Sequence, residues 1–354
     1  FNAAQKERAR QALQYWADVA NIQFVENGSN TDGTITIKGT GGSGGWAGLP
    51  HGHYAKVPAN IGTQGGQSPT MGSHFLGLLI HELGHTLGLS HPGKYNGQGF
   101  NYERNAEYAQ DTKARSVMSY WDETHQPGHN FAGRTPGAPM MDDIAAAQRL
   151  YGANTKTRNT DTTYGFNSNS GREVYSLKRG SDKPIFTVWD GGGNDTLDFS
   201  GFTQNQTINL KAEAFSDVGG LRGNVSIAKG VMVENAIGGA GNDTLTGNEG
   251  NNRLTGGRGA DTLFGGAGAD TFVYHRASDS TPQRPDIIQD FQSGIDKIDL
   301  TGVLQEAGLK ALNFSERLSG KAGDALLGQD SKTGRFTLAG DTTGSGSADL
   351  LIVS

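Results

Sequence analysis

Hydrophobic and polar positions repeat with different periods along the chain, and the change of period divides it. Over residues 3–20, AAQKERARQALQYWADVA places Ala9, Leu13, Trp16 and Ala20 three or four positions apart, which makes one apolar face of a helix. Ile22 and Phe24, then residues 34–38, alternate in steps of two and predict strands, followed by a glycine-rich loop over 39–45. A second helix is predicted over 73–87, with Ser73 as its N-cap and Gly88 as its stop, and a third over 141–151, ended by Gly152.

Past Gly152 this patterning stops. Asn, Thr, Ser and Gly dominate 153–171, which predicts two domains, 1–152 and 153–354. From Gly238 four nine-residue units run without a gap: GGAGNDTLT, GNEGNNRLT, GGRGADTLF and GGAGADTFV, with an isolated copy, DGGGNDTLD, starting at Asp190. Each follows GGxGxDxUx, the nonapeptide of calcium-binding β-helices. Six residues of glycine-rich turn expose carbonyl oxygens and one carboxylate; three residues of short strand turn Leu245, Leu254, Leu263 or Phe272 inward. A flexible linker has no reason to hold that register. If successive strands alternate between two sheets, turns eighteen residues apart stack, so Asp243 faces Asp261 and Asn252 faces Asp270. Each stacked pair then suits one calcium ion, which takes about six to eight oxygens. The unit at Gly247 carries Asn248 for a glycine and Asn252 for the aspartate, so its site loses a charge and binds more weakly.

Composition sharpens this reading. Glycine supplies 55 of 354 residues, more than twice the usual share of about 7%, and the repeats account for much of the excess. There is no cysteine, which excludes disulfides, thiolate zinc sites and cysteine peptidases. Thirty basic and 36 acidic side chains give a net charge of −6, which argues against a nucleic-acid partner held through phosphates and suits cations. The longest apolar stretches, such as 75–80, fall short of the roughly 18 residues of a membrane span. No N-terminal signal peptide is read, and Phe1 in place of Met predicts a processed start.

The second predicted helix carries HELGHTLGLSH: His81, Glu82, His85, Gly88 and His91. His81 and His85 lie about one turn apart on one helix face, so both imidazoles reach one zinc ion. Gly88 can take positive φ, break the helix and return the chain so that His91 supplies a third nitrogen. Three neutral histidines leave the ion a position for water, and Glu82, beside a ligand, is placed as general base toward that water. The predicted chemistry is metal-assisted amide hydrolysis without a covalent intermediate.

This HExxHxxGxxH arrangement resembles the metzincin zinc peptidases, and SVMSYW over 116–121 resembles their methionine turn. The resemblance implies Met118 as an apolar floor beneath the zinc, and Tyr120 as a displaceable ligand that later donates its hydroxyl to the oxyanion. Joined to the GGxGxD units, and with DIAAAQRLYGAN, VWDGGGNDTLDFSG and ENAIGGAGNDTLTGN, the whole chain is similar to the serralysins. That resemblance implies an α+β metzincin-type catalytic domain, then an all-β parallel β-roll or β-sandwich domain. It implies one catalytic zinc and several structural calcium ions. One calcium site would use Arg158, Thr160 and Thr162 with Asp190, Gly192 and Asp195, and a second Gly193, Asp195, the Met232 carbonyl and Glu234. The remaining sites would use Gly239, Gly241 and Asp243 with Gly256, Arg258 and Asp261, and Asn248, Gly250 and Asn252 with Gly265, Ala267 and Asp270; Asp290 is a further candidate. The resemblance also implies a secreted, extracellular monomer acting on protein or peptide substrates, a proteinaceous inhibitor, and export by type I secretion machinery that reads the C-terminal DLLIVS of 349–354.

Two rival readings compete with this one. A calcium-binding adhesin or export module with a structural zinc site needs neither Glu82 nor Tyr120, and a repeat-containing lipase needs a GxSxG elbow between a strand and a helix, whereas Gly42, Ser43 and Gly44 of GGSGG lie in the glycine-rich loop over 39–45. Substrate is expected to add as a strand along GWAGLP, residues 45–50.

Overall fold

The computed structural model describes residues 1–28, 33–51 and 56–354. Helix α1 (Ala3–Val19) opens on a capping box, in which the Asn2 side chain accepts from Gln5 N and the Gln5 side chain accepts from Asn2 N. It buries Ala9, Ala12, Tyr15, Trp16 and Val19. A three-stranded sheet follows: β1 (Thr34–Thr40) runs parallel to β3 (Lys56–Gly62), and β2 (Gly45–Ala47) runs antiparallel on the other side of β3. The expected loop over 39–45 shortens accordingly. Gly39 and Thr40 stay in β1, paired with Ile61 and Gly62, and Gly45 opens β2. Ile22 and Phe24 form no strand; they lie partly buried against the core after the chain turns at Ala20.

Helix α2 (His74–Thr86) is capped by Ser73, whose hydroxyl accepts from Leu76 N at 3.4 Å, and ends before Gly88 at φ +98°. It lies across α1, where Trp16 Nε1 donates to Ile80 O at 3.2 Å. A single turn, α3 (Tyr102–Asn105), precedes α4 (Met141–Tyr151), which Gly152 ends at φ +82°.

Beyond Gly152 the chain forms a small sheet of Phe186–Val188, Val225–Ile227 and Phe215–Ser216 and winds into two large facing sheets built mainly of three-residue strands. One has six parallel strands; the other has eight, parallel through the repeats and closed by the antiparallel pair Asp324–Gln329 and Phe336–Asp341 with the last strand, Leu350–Val353. Neither sheet closes into a barrel. Thr244–Thr246 pairs with Thr262–Phe264, and Arg253–Thr255 with Thr271–Val273, so strands eighteen residues apart are neighbours as the repeat predicts. Each strand contributes one inward side chain: Leu197, Ala236, Leu254 and Phe272 from one sheet meet Ile208, Leu245, Leu263 and Ile288 from the other, all fully buried. Three residues cannot hold a strand alone, and the stack supplies the missing burial. Leu263→Ala is therefore expected to lower the unfolding free energy by about 2–5 kcal/mol, read from the urea midpoint of the full chain. A loss below about 1 kcal/mol would mean the column is not the core of the roll.

Candidate metal centre and acidic ladder

The α2 histidines are aimed by backbone carbonyls behind them. His81 Nδ1 donates to Val117 O at 2.8 Å, His85 Nδ1 to Leu89 O at 2.7 Å, and His91 Nδ1 to Tyr95 O at 2.7 Å. Each carbonyl can only accept, so each Nδ1 carries the hydrogen and each Nε2 presents a lone pair. The three Nε2 atoms converge: His91 Nε2 lies 3.1 Å from that of His85 and 3.2 Å from that of His81. Nitrogens on one tetrahedral zinc at about 2.0–2.1 Å sit about 3.3 Å apart, so the set fits the ion. Burial, then the neighbouring imidazoles, pushes His81 down to about 3 and His91 to about 4, and burial lowers His85 as well. All three are neutral ligands at neutral pH.

Glu82 faces the same cleft, a cavity of about 600 Å³ that β2, Lys94, Asn96 and Tyr120 also line. Its Oε2 is buried without a partner, and burial raises its carboxyl to about 7. β2 passes directly above it: a Cβ on Gly45 would lie 2.8 Å from Glu82 Oε1 and 2.9 Å from Asn60 O, so only glycine lets the strand approach. Tyr120 sets its ring against His91, 4.4 Å between centroids, and its hydroxyl accepts from Gly97 N at 3.2 Å. Met118 is buried below α2, where a Cβ on Gly84 would come within 2.6 Å of its sulfur.

Two supports of this centre lie outside the zinc motif and the methionine turn. Asp143, at the start of α4 and wholly buried, accepts from Ser116 Oγ at 2.7 Å and from the Val117 and Met140 amides at 2.8 Å each. It thereby holds the amide of Val117, the residue whose carbonyl aims His81. Tyr95 stacks on His91 at 16° between planes and donates its hydroxyl to Asp111 at 2.9 Å.

The predicted calcium residues fall along the turns of the roll, where carboxylates form two ladders. Asp261 Oδ1 accepts from Asp243 N at 2.7 Å, Asp270 Oδ1 from Asn252 N at 2.8 Å, and Asp195 Oδ1 from Thr162 N at 2.8 Å. The Oδ2 atoms of Asp195, Asp261 and Asp270 are buried with no partner. Gly257 and Gly259, at φ +95° and +143°, pack on the carbonyl oxygens of Gly239 and Gly241, where any Cβ would collide. The Cβ positions of Gly256 and Gly265 are likewise blocked by the carboxylates of Asp261 and Asp270. Arg258 N and Ala267 N donate to Gly239 O and Asn248 O, joining the same stacked turns.

At the junction, Thr162 Oγ1 donates to Thr160 O, Gly192 N to Asp190 Oδ1, and Asp195 N to Glu234 Oε2 at 2.7 Å. Gly193 packs against the Thr160 backbone, and Arg158 holds φ +47° with its guanidinium on Asp18 and Trp189 O. Met232 is half-exposed beside Gly250. Asp290 accepts from Gly265 N and Gly266 N.

Asn252 differs from its aspartate counterparts. Its Oδ1 accepts from Asn248 N, and its Nδ2 donates to Glu234 O and Asn248 Oδ1, so every polar atom of its amide is used. The ladders also run past the repeats: Asp286 Oδ1 accepts from Asp261 N and Asp296 Oδ1 from Asp270 N, each at 2.9 Å. Neither residue belongs to a GGxGxD unit, because 25 or 26 residues, not eighteen, separate it from its neighbour in the stack.

A helix bearing two converging imidazoles, a third on the returning chain, and a buried carboxylate in the same cleft define a zinc metallopeptidase. The family described as "Dual-action HEIGH metallo-peptidase" matches residues 2–106, and "Peptidase M10 serralysin C terminal" matches residues 153–354. "Metallopeptidase AprA" of Pseudomonas marginalis is 52% identical, over 100% of this chain and 78% of its own. "Serralysin" of Proteus mirabilis is 47% identical over 96% of this chain and 77% of its own, and "Serralysin A" of Dickeya chrysanthemi 49% over 94% and 73%. The chain belongs to the serralysin family of zinc metalloendopeptidases. No helix among the described residues is long and apolar enough to cross a membrane.

Asp143→Ala leaves two buried amides and a hydroxyl without their acceptor behind His81. Zinc retention is expected to fall about 10- to 100-fold, measured as the rate of metal loss to a chelator. Unchanged zinc release would detach Asp143 from the centre.

Proposed function

We propose that this protein cleaves peptide bonds of extended polypeptides in the cleft above His81, His85 and His91, with Glu82 moving the proton. The observation that carries the reading is the convergence of three imidazole lone pairs beside a buried, unpartnered carboxylate. Zinc, when bound there, supplies a Lewis acid that polarises the scissile carbonyl and acidifies water. Glu82 Oε2 takes the proton of the attacking water and returns it to the departing amine. Tyr120, released from Gly97 N, donates its hydroxyl to the developing oxyanion. Among the described residues β2 pairs with β3 along one side only, so an extended substrate adds along its other edge and lies over Glu82. Glu82→Gln is expected to lower kcat on casein at least about 100-fold at unchanged zinc content. Equal activity at equal zinc occupancy would remove Glu82 from the mechanism.

The roll is read as a calcium-dependent fold. Buried carboxylate oxygens without partners, stacked over inward carbonyls, are the donor set of a hard cation. The rung at Asn252 is the poorest of these, because its amide is already spent on neighbouring oxygens. Secretion, with folding after export by type I machinery that reads DLLIVS, accords with the repeats and the absence of cysteine.

Burial raises the ion-free carboxyls of Asp195 and Asp286 to about 8 and of Asp261 to about 7, from an ordinary 3.8. The folded form then holds protons that the unfolded chain releases near pH 4, so ion-free stability declines as pH rises from there toward 8. Thermal unfolding of the full chain in chelator is expected at a higher temperature at pH 5 than at pH 8, with millimolar calcium restoring the pH 8 value. Equal melting at pH 8 with and without calcium would refute the calcium reading.

A further inference from the structure

The peptidase reading leaves open which polypeptides the cleft prefers, and its charge bears on that. Besides the three imidazoles, the groups that can carry charge near neutral pH among the described cleft residues are Glu82 and Lys94. Glu82 is buried and committed to proton transfer, whereas Lys94 is exposed and has no hydrogen bond or ion pair among the described residues. Its backbone is anchored to the metal centre. Lys94 lies between Tyr95, whose carbonyl holds His91 Nδ1 at 2.7 Å and whose hydroxyl is tied to Asp111, and Gly93, where a Cβ would lie 2.8 Å from the Tyr95 ring. The side chain therefore starts from backbone held beside the ligand His91 in the lining of the cleft, and a divalent ion on three neutral histidines would add charge of the same sign.

We propose that Lys94 is a specificity-determining residue, favouring substrates with Asp or Glu next to the scissile bond and disfavouring Lys or Arg there. This rests on the peptidase reading and extends it to substrate class. The carboxylate of such a substrate meets an ammonium with no partner to give up among the described residues, while a cationic side chain beside Lys94 meets like charge. Trp46 and Leu49, exposed at 58% and 43% beside β2, offer apolar contact to any chain and leave charge discrimination to Lys94.

The test uses zinc- and calcium-loaded full-length protein and fluorogenic peptides that differ only in Glu, Ala or Lys at each position flanking the scissile bond. At low salt, kcat/KM for the best-placed Glu peptide is expected to exceed that of its Ala analogue about two- to fivefold, with the Lys peptide below Ala by a similar factor, as for exposed ion pairs. The Glu/Lys ratio should collapse toward one in Lys94→Gln, invert in Lys94→Glu, and shrink for the wild type in about 1 M salt, where charges are screened beyond about 3 Å. A wild type with no Glu-over-Lys preference at any position, or a preference that survives Lys94→Glu, overturns the proposal. Because the salt series uses the wild type, the result does not depend on either variant folding. Failure of the wild type to cleave any peptide, including the Ala series, would instead sink the peptidase reading.

Discussion

Three nitrogen lone pairs held within 4.8 Å of one another with no hydrogen between them set the terms for the catalytic half of this molecule. Each Nδ1 is spent on a carbonyl, so no tautomer can turn one Nε2 into a donor toward another. The arrangement is favourable only around a cation, and the protein bears the cost of forming it with peptides whose own positions are enforced. Leu89 and Tyr95 lie on the chain that Gly88 sends back from α2, and Val117 lies on the turn that Asp143 clamps. The metal centre is thus built on backbone as much as on side chains, and the α1 contact through Trp16 fixes the helix that carries two of its ligands.

The roll obeys the same constraint in oxygen. Its strands are short, with one inward residue per three-residue strand in the repeats. The turns between them crowd carboxylates whose second oxygens find no donor, which raises their proton affinity. A proton relieves that crowding weakly and a divalent ion relieves it well. Asn252 shows the neutral solution: an amide nitrogen gathers Glu234 O and Asn248 Oδ1 without outside help.

These two polar systems meet at a buried ion cluster. Asp18 of α1 accepts from Arg158 at 3.1 Å and from Arg172 at 2.7 Å, and Arg158 also donates to Trp189 O just before the first glycine-rich turn. Asp18 is held by both guanidiniums, and its loss would leave the buried Arg158 without its carboxylate. The apolar core runs continuously from α1 and α2 into the roll, so the first turn of the repeat region is seated against the helix that packs on the zinc helix.

Local rules settle what is periodic or strictly spaced. The boundaries of α4, the stop at Gly88, the eighteen-residue stacking and the histidine triad are legible because helix pitch, glycine's freedom at positive φ and the nine-residue unit need no knowledge of distant partners. Asp143, Tyr95 with Asp111, Gly45 over Glu82, and the ladder members Asp286 and Asp296 could not be read that way. Each works through a neighbour brought close only by the fold: Asp143 lies 26 residues from Val117, Gly45 lies 37 from Glu82, and Asp286 joins the ladder across an insertion that breaks the repeat count. The sequence determined which groups could bind metal; the tertiary structure decided which carbonyls aim them, which oxygens are left without partners, and that Lys94 lines the described cleft of the three histidines.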